Sequence, residues 1–219
     1  APVATGSHID AIPNAGKYDG VVGVLGGLEA MRSLRESGHE PLRGIELIMF
    51  TAEEPTRFGI GCLGSRMLAG TTSVSEASKL RDAEGRSLDD LRPSSDSLQN
   101  VLLTSGHYDA FLELHIEQGP LLEQRGTDIG IVERIAAPAA CRLTFKGGGG
   151  HAGAVLMPDR QDAFLAAAEV ALAVEEAAKD SSSEDAVGTV GKVDVLPGAI
   201  NSSPSHDMIE LDFRCRALG

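Results

Sequence analysis

Residues 2–51 read as strand, helix, strand, and that order decides the fold class. The opening PVATGSHI is apolar and strand-like. Residues 20–37 set Val21, Val24, Leu25, Leu28, Met31 and Leu34 at helical spacing, with Arg32, Arg35 and Glu36 outside the stripe. Gly38 stops the helix. A second apolar run, IELIMFT, follows at 45–51. Two strands joined through one helix pair in parallel, so an open α/β sheet is expected. In such sheets ligands bind beyond the carboxyl ends of the strands.

Polar residues collect at those ends. TGSHIDAIPNAGKYDG carries His8, Asp10 and Asp19 within a dozen residues. His8 and Asp10 are two apart, so on extended chain they share a face, and a carboxylate sits beside an imidazole. The second strand runs into Glu53-Glu54-Pro55. A third alternating run, LELHIEQG, brings His115 near its end. Imidazole and carboxylate without sulfur suit Zn2+, Mn2+ or Co2+. His8, Asp19, Glu54 and His115 can hold one ion tetrahedrally, or two with Asp19 bridging and further ligands added. Paired ions clamp a hydrolytic water and polarise a carbonyl. Glu53 and Glu54 diverge on a loop, so one can bind metal while the other takes a proton. An acid-rich helix start explains the same pair equally well.

Composition narrows the partners. Net charge is −13, which argues against nucleic acid or an anionic membrane surface. Cys62, Cys141 and Cys215 are far apart and odd in number, so no disulfide framework is read from them. The apolar stretch 163–178 is broken by Glu169, Glu175 and Glu176, which makes it an amphipathic helix and no membrane span. The opening residues carry no signal-peptide pattern. Gly20, Gly23, Gly26 and Gly27 lack the GxGxxG spacing, and GKYDG has no Ser or Thr after Lys17, so neither is a phosphate loop. His39, His107 and His206 sit in polar loops and are expected to be solvated, whereas His151 follows four glycines that can present it.

The remaining elements follow from pattern. A short helix is expected at 58–69. The polar excursion 71–109 carries short helical pieces at 75–82, 87–91 and 97–104. Strands are expected at 112–116 and 128–135. The texture changes near residue 137, dividing a first domain, 1–137, from a second, 138–219. The second shows a strand at 140–146, a helix at 158–179, a polar linker at 181–185, and strands at 187–196 and 208–214. That is an α+β module with one sheet face covered by a helix.

GSHIDAIPNAGKYDGVVGV, FTAEEPTRFG, LELHIEQGP, GHAGAVLMPDRQDA and PGAINSSPS together resemble the di-metal amidohydrolases of the aminoacylase/carboxypeptidase-type metallopeptidase superfamily. The match runs along essentially the whole chain. EEPTRFG and GHAGAVLMP are most similar to the ureidoglycolate amidohydrolases, over the related allantoate amidohydrolases and N-carbamoyl-L-amino acid hydrolases. The resemblance implies a three-layer α/β/α catalytic domain, incomplete here, with an inserted α+β lid and dimerisation domain, also incomplete. It implies His8 and Glu54 on one metal or the other, Asp19 bridging and His115 completing one ion. Asp10 tunes His8, and Glu53 is the general base. His151 reaches the active site of a partner subunit and stabilises the oxyanion. Gln118, Asn201 and Arg214 hold substrate, Arg214 by gripping a carboxylate in two-pronged fashion.

The implied cofactors are two divalent ions, with manganese usual for ureide substrates. The implied reaction cleaves a ureido C–N bond, giving glyoxylate, ammonia and carbon dioxide from (S)-ureidoglycolate. A small-molecule ureide and a second copy of the chain are the expected partners. Plant relatives reside in the endoplasmic reticulum. The family places one more metal-binding His beyond the point where this chain stops, and the end Cys215-Arg216-Ala217-Leu218-Gly219 departs from its pattern. The chain therefore reads as a fragment, with one metal short of a ligand. The alternative of another class is a non-catalytic dimerising fragment.

Overall fold

The computed structural model describes residues 1–92, 98, 101–183 and 185–215. They form two compact units, Ala1–Ile129 and Gly130–Gly219. The expected departure at 216–219 lies outside the described residues, as do parts of the expected helical piece 97–104 and of the linker 181–185.

The first unit holds a parallel sheet of three strands in the order β2-β1-β3. These are β1 (Val3–His8), β2 (Ile45–Phe50) and β3 (Ala110–Leu112). Helix α1 (Val21–Glu36) makes the crossover from β1 to β2. The register aligns Val3 with Ile45 and His8 with Phe50, so both strands release their chain at the same edge.

The packing of α1 departs from its apolar stripe. Leu25 and Leu28 are exposed, and the helix buries Gly23, Val24 and Gly27 instead. A Cβ at Gly23 would stand 2.3 Å from the Leu114 carbonyl oxygen and 2.6 Å from the Ser7 Cβ. One at Gly27 would meet Leu47 and Thr5 side chains at 2.9 and 3.0 Å. The glycine repeat therefore serves close approach of helix to sheet, a contact that any side chain would prop apart.

Helices α2 (Leu63–Leu68), α3 (Val74–Ala77) and α4 (Leu88–Leu91) surround a core of Phe58, Leu63, Met67, Ala77 and Leu88. Ser73 and Ser87 each begin a helix with a reciprocal cap, accepting from Glu76 and Asp90 amides respectively. The helix expected at 58–69 is confined to α2 because residues 51–61 are used otherwise, as described below.

Two expected strands are corrected. β3 ends at Leu112, and residues 113–118 leave the sheet, with the Ser7 hydroxyl donating to Glu113 at 2.6 Å. Residues 128–135 form no strand; none of the described residues pairs with them, and Ile129, Ile131, Val132 and Ile135 are exposed. Alternation marks a segment able to join a sheet, but a strand needs a neighbour to hydrogen-bond. Between them lies α5 (Leu121–Arg125), closed by Gly126 in the left-handed conformation.

The second unit is an antiparallel sheet, order β4-β8-β6, from β4 (Ala137–Lys146), β6 (Val187–Leu196) and β8 (His206–Cys215). Helix α6 (Ala163–Lys179) packs on β6 and β8 and covers one face, with Ala163, Ala167 and Val174 of the helix and Ile209 of β8 all buried. It starts later than the expected residue 158 because Asp162 accepts the Phe164 amide at 3.0 Å, and a short 3-10 turn occupies Met157–Asp159. A small ladder joins β5 (Gly150–His151) to β7 (Ser202–Ser203). Among the described residues no helix is long and apolar enough to cross a membrane.

Candidate metal centre

The centre is built where the chain leaves β1, β2 and β3. His8 ends β1 and is buried. Its Nδ1 lies 2.8 Å from the Asp10 main-chain oxygen. A carbonyl only accepts, so Nδ1 carries the hydrogen and the neutral ring presents an Nε2 lone pair. His115 repeats the arrangement: Nδ1 is 2.9 Å from the Ile116 carbonyl, and Nε2 faces inward. The two rings stand 5.8 Å apart.

Both lone pairs face Asp19. Its Oδ1 is 3.8 Å from His8 Nε2 and 3.3 Å from His115 Nε2. That oxygen is buried and has no hydrogen-bond partner among the described residues. In their neutral forms the two rings offer Asp19 lone pairs and no proton. Buried polar atoms normally find partners, so the arrangement calls for a cation. Donor atoms of His8, Asp19 and His115 lie within 4.8 Å of one another, as do those of His8, Glu53 and Glu54. His8 belongs to both groups. The donor set is nitrogen and oxygen only, and it fits a divalent cation.

Gly20 makes room for His8. Its φ is 65°, and a Cβ there would stand 2.5 Å from the His8 carbonyl and 2.6 Å from the ring. The acid pair is held from two sides. The first amides of the α2 turn, at Cys62, Leu63 and Gly64, donate to the Glu53, Ala52 and Thr51 carbonyls at 2.6, 3.0 and 2.9 Å. From the other side, the Asp10 carboxylate accepts the Glu53 and Glu54 amides at 3.2 and 2.9 Å. Asp10 thus meets His8 chiefly through its main chain, its nearer carboxylate oxygen standing 3.7 Å from Nδ1. We expect Asp10→Ala to free both amides, lowering stability by about 1–3 kcal/mol and metal affinity by roughly tenfold. Urea unfolding and chelator competition check both figures; Asp10→Asn, which keeps one acceptor oxygen, should fall between.

Glu53 places Oε2 3.7 Å from His8 Nε2, and its Oε1 accepts from the Cys62 thiol at 3.1 Å. Burial and that contact push the Cys62 thiol up to about 11, so at neutral pH it stays protonated and able to donate. Burial, then the Glu53 and Asp19 charges, holds the Glu54 carboxyl above its ordinary value. Crowded acids of this kind release their repulsion on binding a cation. Gln118 donates from Nε2 to Asp19 Oδ2 at 2.7 Å. Cys62 is the polar group that sequence reasoning passed over; a thiol nine residues beyond Glu53 carries no spacing signal of its own.

The second unit carries His151, Asn201 and Arg214. His151 accepts the Gly153 amide on Nδ1 at 3.1 Å, so in the neutral ring Nε2 bears the proton and is free to donate. The Asn201 carbonyl receives the Ala152 amide at 2.8 Å, which sets Asn201 beside His151. Arg214 lies at the opposite end of β8, where its Nε donates to Asp212 at 2.7 Å.

Residues 4–200 match Peptidase family M20/M25/M40. The chain belongs to this family. M20 proteins are metal-dependent, in keeping with the histidine and acid clusters. The chain is 57% identical over 97% of its length to the ureidoglycolate hydrolase of Arabidopsis thaliana, covering 46% of that protein. It is also 57% identical over 97% of its length to the ureidoglycolate hydrolase of Oryza sativa subsp. japonica, covering 45%. A crystal structure of AtUAH in complex with glyoxylate superposes with a TM-score of 0.88 at 56% identity, over 99% of this chain and 53% of that one. The chain spans about half the length of the curated relatives it matches.

Proposed function

We propose that the protein is a metal-dependent amidohydrolase that cleaves a ureido C–N bond, with (S)-ureidoglycolate as substrate and glyoxylate, ammonia and carbon dioxide as products. The observation that carries the metal chemistry is the buried, unpartnered Asp19 oxygen facing two imidazole nitrogens. Similarity to two plant ureidoglycolate hydrolases supports the substrate.

His8, Asp19, Glu54 and His115 would hold two divalent ions, with manganese the ion favoured by the resemblance. When bound, such ions polarise a carbonyl and lower the pKa of water. Glu53 is the general base: one oxygen is tethered by Cys62, and the other is free to take a proton from the attacking water. It then returns that proton to the leaving nitrogen.

The resemblance gives His151 the oxyanion and Asn201 and Arg214 the substrate. His151 pairs with Ser202, and Gly147 donates to the Ser205 carbonyl, so His151 and Asn201 lie by the His206 end of β8; Arg214 is eight residues along that strand from His206, about 26 Å at 3.3 Å per residue. One small ureide cannot touch both ends of that strand. This separation supports a homodimer formed through the second unit, in which the two ends serve different copies. Residence in the endoplasmic reticulum completes the proposal.

Purified protein supplied with Mn2+ should bind metal and release ammonia and glyoxylate from ureidoglycolate. Mass-spectrometric metal content and a coupled ammonia assay read both. Release from allantoate or an N-carbamoyl amino acid alone would reassign the substrate. Neither metal nor release would leave a non-catalytic dimerising protein.

A further inference from the structure

We infer that Gln118 is a positioning residue for Asp19, fixing which carboxylate oxygen faces the metal; the inference rests on the metal reading above. The Asp19 side chain is 8% exposed, and its two oxygens have different surroundings. Oδ2 accepts from Gln118 Nε2 at 2.7 Å. Oδ1 has no donor and faces both imidazoles. An anchor on one oxygen fixes rotation of the carboxylate, and so aims the other at both rings together.

The chemistry of the donor matters. A Lys or Arg in that place would neutralise Asp19 and compete with a cation. A neutral amide orients the carboxylate and leaves its full charge for the metal.

The backbone around Gln118 is fixed to the same end. Its φ is 60°, a left-handed conformation uncommon for a residue with a Cβ. Such conformations persist where surrounding contacts impose them. The preceding Glu117 is tied down at the start of α5, accepting the Leu121 and Leu122 amides at 3.1 and 2.8 Å. His115, three residues earlier, reaches the same Asp19. The loop thus delivers a candidate ligand and that ligand's neighbour's anchor from one turn of chain.

This differs from the substrate-holding role that the sequence resemblance gives Gln118, and metal affinity separates the two. The 219-residue chain is titrated with Mn2+ and with Zn2+ alone against a chelator, for wild type, Gln118→Met and Gln118→Leu. Thermal melts of the metal-free proteins check folding. Gln118 itself is exposed, so both variants should stay folded, melting somewhat below wild type because the buried Asp19 Oδ2 loses its donor. Both should bind metal 10–100-fold more weakly, the range typical for losing a ligand's hydrogen-bond partner. Wild-type affinity in a folded variant of either kind overturns the role, and leaves Gln118 to the substrate. A wild-type chain that binds neither ion overturns the metal reading, and this role with it.

Discussion

Replacing Glu53 with Gln is expected to lower ammonia release by roughly 10²–10⁴-fold while bound metal stays unchanged. The substitution keeps shape and one acceptor oxygen, so the Cys62 thiol retains its partner. It also keeps the main-chain contacts with Asp10 and with the α2 turn, which do not involve the side chain. What is lost is the ability to take a proton. That loss appears in kcat, since a base acts on the reacting water and contributes little to holding substrate. Metal analysis beside the kinetics makes the result decisive. Turnover that survives would move the base elsewhere. Metal lost together with turnover would mean that Glu53 is itself a ligand.

Gly20→Ala is expected to damage fold and centre together. The new methyl would stand 2.5–2.6 Å from the His8 carbonyl and ring, where no real Cβ sits. The positive φ adds about 1–2 kcal/mol of backbone strain. Displacing packed atoms adds about 1–3 kcal/mol more. A sum near 3 kcal/mol corresponds to a melting shift of very roughly 10 °C for a chain of this size. Because the atoms that must move belong to His8, metal affinity should fall more than tenfold as well. Calorimetry and chelator competition read the two effects. A variant with unchanged melting and affinity would show that the His8 ring has room, and would remove the argument for its fixed placement.

Much of the first unit could be read from periodicity. Residues 2–51 alternate between apolar runs and a helical stripe, and β1, α1 and β2 follow them. The ring tautomers of His8 and His115 could not be read. They are set by main-chain carbonyls at Asp10 and Ile116, and every residue carries a carbonyl. The same holds for Asp10: its spacing from His8 suggests a ring partner, yet its carboxylate is spent mainly on the Glu53 and Glu54 amides, brought near by strand pairing. The helical stripe misled over Leu25 and Leu28, because α1 meets the sheet through glycines. Hydrophobic patterns report what can be buried, whereas close helix–sheet contact selects for what is small. At 128–135 the alternation was present and the pairing strand was not, so apolar character alone did not make a strand.

The parallel register of β1 with β2 and β3 has a practical corollary. His8, the Glu53–Glu54 pair and His115 are contributed by segments that local structure cannot bring together. Cation uptake at the proposed centre would therefore report long-range assembly. A spectroscopic probe ion such as Co2+ would follow the maturation of the first unit in real time, long before any substrate is offered.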